Sequence, residues 1–122
     1  MRRTLALPAP ALASLALTAC VPNASEDATT ITVTADADGC TLSAVEAPAG
    51  PVTFSVTNEG DAETELYVLG ADGASVVTEL EHIGPGLTRA VTVTLESGDY
   101  FTSCRTSDDE EHEAAPFTVT EA

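Results

Sequence analysis

Near its C-terminal end the chain reads SCRTSDDEEHEAAPFTVT, which sets Cys104 eight residues ahead of His112 with four consecutive carboxylates between them. A thiol, an imidazole and carboxylates at this spacing offer two kinds of chemistry. With the thiol deprotonated they are ligands for a transition metal or, through the oxygens of Asp108, Asp109 and their neighbours, for a hard cation. With the thiol oxidised, Cys104 is half of a disulfide and the acidic run is a solvated turn behind it. The remaining donors are few: the chain holds 3 Cys, 2 His and 1 Met. The other cysteines are Cys20 and Cys40, the other histidine is His82 in EHIGPG, and the methionine is Met1. No Ser/His/Asp arrangement and no Gly-rich phosphate loop stands out, so the chain is expected not to be an enzyme.

Cys20 belongs to a different chemistry. The opening MRRTLALPAPALASLALTAC has two arginines, a short apolar stretch broken by Pro8 and Pro10, and small residues before the cysteine. That is the pattern of a secretory signal, and the apolar stretch is too short for a comfortable bilayer span. Its end, LTAC, resembles the lipobox of prokaryotic lipoproteins, in which the cysteine is lipidated on sulfur and becomes the mature N-terminus. The expected organisation is a signal peptide over residues 1–19, a lipidated Cys20 and flexible tether over 20–30, and one domain over 31–121. The tether, fully extended, reaches at most about 35 Å. The domain is therefore expected outside the cytoplasm, anchored to the cell membrane by lipid. There disulfides persist, and Cys40 and Cys104 are left as a pair. A disulfide between them is the expectation, and thiolate ligation of a metal is the alternative. The staple would close a loop of some 64 residues, for which the chain-entropy model gives about 4 kcal/mol.

Charge excludes one class of partner. There are 20 acidic residues against 4 arginines and no lysine, a formal charge of −16. Such a surface is repelled by phosphate backbones, so nucleic-acid binding is not expected. The bland reading is a solvated acidic exterior; the sharper one is a field that concentrates cations near a site.

The elements that must position these residues have a period of two. TITVTA alternates from Thr30, and PVTFSVTN puts Val52, Phe54 and Val56 on one face before the turn signal NEGD. TELYVL, VVTEL, YFTSC and PFTVTE follow the same pattern, and CTLSAVEA does so more weakly. TRAVTVTLE places Val91, Val93 and Leu95 opposite Ala90, Thr92 and Thr94. About seven to eight short strands with turns between them, and no helix-period segment after the leader, predict an all-β sandwich. With three Phe, two Tyr and no Trp, its core must be built from Val, Leu, Ile and Ala.

At this point the residues resemble a known family. APAGPVTFSVTNEGD is similar to the cupredoxin pattern of a Pro/Gly turn followed by a strand ending in Asn, here Asn58. TELYVLGADGASVVTELEHIGPGLTRAVTVTLESGDYFTSC resembles the cupredoxin-like domain of EfeO, the exported component of a bacterial iron-uptake system, most specifically over residues 81–104. The resemblance spans residues 31–120 and implies a cupredoxin-like Greek-key β-sandwich. Complete members of that family carry a further helical domain, for which this chain, ending in PFTVTEA, shows no counterpart.

A blue-copper centre needs two His, one Cys and a weak axial ligand. After Asn58 the segment EGDAETELY has no histidine, and Met1 goes with the leader. Blue-copper electron transfer is therefore not expected. The resemblance instead implies Cys40, Cys104 and Glu65 as metal ligands, a set suited to copper or zinc. The loop after Cys104 departs from the family by lacking a soft ligand and offering Asp108, Asp109 and His112, which suits a hard cation such as iron. His82 stands where the family often has Asn and is read as a surface or packing residue. The function implied is a membrane-anchored, metal-binding accessory of iron or other transition-metal uptake, with the permease and peroxidase components of such a system as partners. The alternative is a disulfide-stabilised interaction module without metal.

Overall fold

The computed structural model describes residues 27–106 and 113–122. The expected leader and Cys20 lie outside the described residues, as do Asp108, Asp109 and His112. Among the described residues there are nine strands: β1 (Thr29–Asp36), β2 (Gly39–Leu42), β3 (Glu46–Pro48), β4 (Gly50–Asn58), β5 (Thr64–Leu69), β6 (Val76–Ile83), β7 (Thr88–Leu95), β8 (Gly98–Thr106) and β9 (Ala115–Thr120). They form two facing sheets, one ordered β2-β1-β4-β7 and the other β3-β9-β8-β5-β6. This is the expected all-β sandwich of the cupredoxin-like kind, with one strand more than expected.

The extra strand comes from CTLSAVEA. Its first half, β2, pairs antiparallel with β1, while its second half, β3, pairs parallel with β9 in the opposite sheet. The crossing is made at Ser43, whose backbone N–H donates to Thr32 O and whose hydroxyl accepts from the Thr32 N–H. A single run of residues thus serves both sheets, which explains its weak alternation.

The inward faces are those the alternation predicts. Val52, Phe54 and Val56 of β4 are each 0% exposed, and in the parallel pairing with β1 Phe54 lies opposite Ile31 and Val56 opposite Val33. From the other sheet come Leu66, Val68, Leu80, Ile83, Phe117 and Val119. Phe54 and Phe117 span the gap with ring centroids 5.5 Å apart and tilted by 60°, a favoured aromatic arrangement. On the outer face of the first sheet, threonines of β4 and β7 pair across the ladder, Thr53 with Thr92 at 2.7 Å and Thr57 with Thr88 at 2.8 Å.

One end of the sandwich is closed by polar groups. Asn58, 1% exposed, donates from Nδ2 to Ala62 O at 2.7 Å and Ile83 O at 2.8 Å, and accepts from the Gly60 N–H on Oδ1. Its backbone bonds both ways with the turn before β7, to Leu87 O and from Gly86 N, where Gly86 takes φ +78°. Thr64, also buried, donates its hydroxyl to Arg105 O. A buried amide is tolerated only when its hydrogen bonds are made, and these are. The same end holds a disulfide between Cys40 of β2 and Cys104 of β8, with Cα atoms 5.9 Å apart, joining the two sheets.

Candidate metal centre

The two ladders that meet on β5 set up the site. On one side Leu66 pairs with Cys104 and Glu65 with Arg105. On the other, Thr64 pairs with Ile83 and Leu66 with Leu80, so two steps along β5 are matched by three along β6. That mismatch is a β-bulge, which places two consecutive side chains on one face. Leu80 and Ile83 are buried, and Glu81 and His82 between them both point outward. His82 sits at φ +56°, a left-handed conformation that Asn, Asp and His tolerate better than other side chains do. The bulge is held from the neighbouring sheet: Arg89 of β7 donates from Nη1 to Glu81 O at 2.7 Å.

Opposite the bulge stand Glu65 of β5 and Glu63 just before it. Glu63, Glu65 and His82 each present one ligand atom, and these atoms lie within 4.8 Å of one another. His82 Nδ1 is 2.9 Å from Glu63 Oε1, and His82 Nε2 is 3.8 Å from Glu81 Oε2. Tyr67, two residues along β5, donates its hydroxyl to Glu65 Oε2 at 2.7 Å, fixing that carboxylate and leaving its other oxygen available. Arg105 lies over the Tyr67 ring, 5.1 Å from its centroid. The hydrogen bond to Glu65, with burial and the carboxylate's charge behind it, pushes the Tyr67 hydroxyl up to about 12, so it remains a donor at any physiological pH. The Glu63 contact raises the pKa of His82 above its ordinary 6.5, aided by Glu63's charge and by Glu81 and Glu65. Asn58 positions the whole arrangement, since its two amide bonds go to the carbonyls of Ala62, next to Glu63, and Ile83, next to His82.

The ligand set implied by resemblance does not assemble. Successive residues of a strand face opposite sides of its sheet. Cys104 is 3% exposed and faces the core beside Leu66, whereas Glu65 faces outward beside Arg105. Both sulfurs are moreover joined in the disulfide, so they are not thiolate ligands. Glu65 is instead brought to Glu63, which the sequence did not single out, and to His82, which reads as packing or surface. Asn58, the strand-ending residue of the expected cupredoxin pattern, has a structural role among the described residues. Its side chain is committed to three hydrogen bonds, and the segment after it carries Glu59, Asp61, Glu63 and Glu65. Around it an open cleft of about 460 Å³ is lined by Asp36, Asp38, Glu59 and Asp61, with no His or Cys among its lining residues.

Comparison with known proteins agrees with the fold. Iron uptake system component EfeO of Yersinia pseudotuberculosis serotype I is 35% identical over 74 residues, and its counterpart from Yersinia pestis is 38% identical over 74 residues. Each alignment covers 61% of this chain but 19% of the relative, so the likeness concerns about a fifth of those proteins. Among solved structures, dithionite-reduced auracyanin from Roseiflexus castenholzii superposes with a TM-score of 0.55 at 16% identity, over 75% of this chain and 97% of that one. Auracyanin A, a "blue" copper protein from Chloroflexus aurantiacus, gives the same TM-score and identity over 76% and 99%. At such identity these two bear on the fold alone. A model of the cupredoxin-like domain matches residues 9–113, most of the chain and eight of the nine strands, and the protein belongs to that family.

Proposed function

We propose that this protein is an extracytoplasmic accessory of iron or other transition-metal uptake, held at the membrane by lipid on Cys20, and that it handles the metal as cargo rather than catalysing a reaction. The observation that carries this reading is the 35–38% identity, over 61% of this chain, to iron uptake system components. The Cys40–Cys104 disulfide supports export, because such bonds persist outside the reducing cytoplasm. The strongly negative surface supports a cation as cargo and makes a lipid anchor useful, since an anionic membrane does not attract it. The permease and peroxidase components of an uptake system are the proposed partners. The test is deletion of the gene and measurement of cell-associated iron, zinc and copper under limitation of each. Loss of accumulation of one metal, restored by the wild-type gene and not by Cys20→Ser, supports the reading; unchanged uptake of all three overturns it.

A second reading is favoured by one feature: both sulfurs are used in the disulfide. On it, the sandwich is a stapled module that presents a face to a partner protein without metal. Recovery of a cross-linked partner from a deletion-complemented strain, with no metal bound to the full chain, would select it.

A further inference from the structure

We propose that Glu63, Glu65 and His82 form a surface site for one divalent first-row transition cation, open to solvent on one side. The inference deepens the uptake reading and rests on its claim that the chain itself binds metal. Three donors converge at two adjacent strands: Glu65 on β5, Glu63 just before it and His82 on the bulge of β6. The spacing fits one ion. Cis ligands at metal–ligand distances of about 2.0–2.2 Å are separated by about 3 Å. The Glu63–His82 pair already stands at 2.9 Å, and the ligand atoms of the whole set lie within 4.8 Å of one another.

The donor types select the class. One imidazole nitrogen and two carboxylate oxygens suit ferrous, zinc or manganous ions. A calcium ion asks for six to eight oxygens, and cuprous copper asks for sulfur, which this site lacks. On binding, the cation replaces the proton on His82 Nδ1, and that proton leaves to solvent. The supporting contacts are those of a built site. The Tyr67 hydroxyl holds Glu65 Oε2, and the Glu81 carboxylate lies 3.8 Å from His82 Nε2, on the far side of the imidazole from Nδ1. Tyr67 is thus a positioning residue. Three ligands leave about half of an octahedral shell to water or to a second protein. With the His82 side chain 71% exposed, cargo can be received and passed on without opening the fold.

The test is calorimetric titration of the full chain, disulfide intact, with zinc and with anaerobic ferrous ion, and with calcium as the control. Glu63→Gln, Glu65→Gln and His82→Asn are compared with Asp61→Asn in the neighbouring cleft. Asn is chosen at position 82 because it accepts the left-handed backbone. The expected result is one equivalent bound to wild type and to Asp61→Asn, weakening by at least about tenfold in each of the three ligand variants, and by a smaller factor in Tyr67→Phe. Unchanged affinity in the three variants overturns this site while leaving the uptake reading standing. Binding of calcium as tight as zinc overturns the assigned class. Failure of wild type to bind any of the ions more tightly than about millimolar overturns both the site and metal binding by the chain.

Discussion

His82 and Glu63 show how much of the candidate site is decided by single contacts. The imidazole is exposed, yet the Glu63 carboxylate 2.9 Å away favours its charged form and raises its pKa. A raised pKa fixes the sign of the pH dependence. The contact contributes stability fully below the unfolded value near 6.5, and that contribution is lost as pH rises through the higher folded value. Because both groups are largely in solvent, the stability change is small and the titration itself is the better readout. In metal-free protein, the His82 ring protons should titrate above the ordinary histidine value, and Glu63→Gln should bring the midpoint back toward it. An unchanged midpoint in that variant would show that the contact does not form in solution. None of this was legible in the sequence, because Glu63 and His82 are 19 positions apart. A faint signal was present: position 82 is one where the similar family often has Asn, and a left-handed backbone is where Asn and His are both accommodated.

At the scale of elements, the alternating residues of β4 and β7 specified their inward faces directly: Val52, Phe54 and Val56 are buried, while in β7 Leu95 is buried and Val91 and Val93 are half-buried. A period of two says which side chains share a face but not where a ladder skips a residue. The bulge in β6 is such a skip: it turns Glu81 and His82 outward together and brings His82 to Glu63 and Glu65. The same limit hid the switch of β2 and β3 between sheets, since the run alternates only weakly and its two short halves pair in different sheets. The face of Glu65 follows from its pairing with Arg105, one residue beyond the inward Cys104, a register that no single strand reveals. What holds these elements in place at the site is Asn58. Asn58→Ala removes donors from two carbonyls and an acceptor from the Gly60 N–H. It should lower the unfolding free energy by about 1–3 kcal/mol in urea titrations. Zinc affinity should fall as well, although residue 58 is no ligand. A variant with wild-type stability would contradict the clamp.

For the molecule as a whole, the disulfide and the candidate metal centre occupy the same end of the sandwich but are chemically independent. The disulfide joins β2 to β8 across the core, and the carboxylates and imidazole stand on the outer face of β5 and β6. Replacing Cys40→Ser and Cys104→Ser together should cost about 2–5 kcal/mol of stability while leaving zinc affinity of the folded fraction unchanged. Loss of affinity in proportion to the fraction still folded would fit; loss beyond it would put the sulfurs in the site. The pairing of the two cysteines was open to reading from their number and from the expectation of export. That it excludes them from ligation, and turns Glu65 to other partners, depended on the facing of two adjacent strands.

The most direct measurement is zinc K-edge X-ray absorption on the loaded full chain carrying Cys20→Ser, with the disulfide intact. The account predicts a first shell of nitrogen and oxygen alone at about 2.0–2.2 Å, with the outer-shell pattern of one imidazole that disappears in His82→Asn. A sulfur shell at about 2.3 Å, or an imidazole pattern that survives His82→Asn, would contradict it.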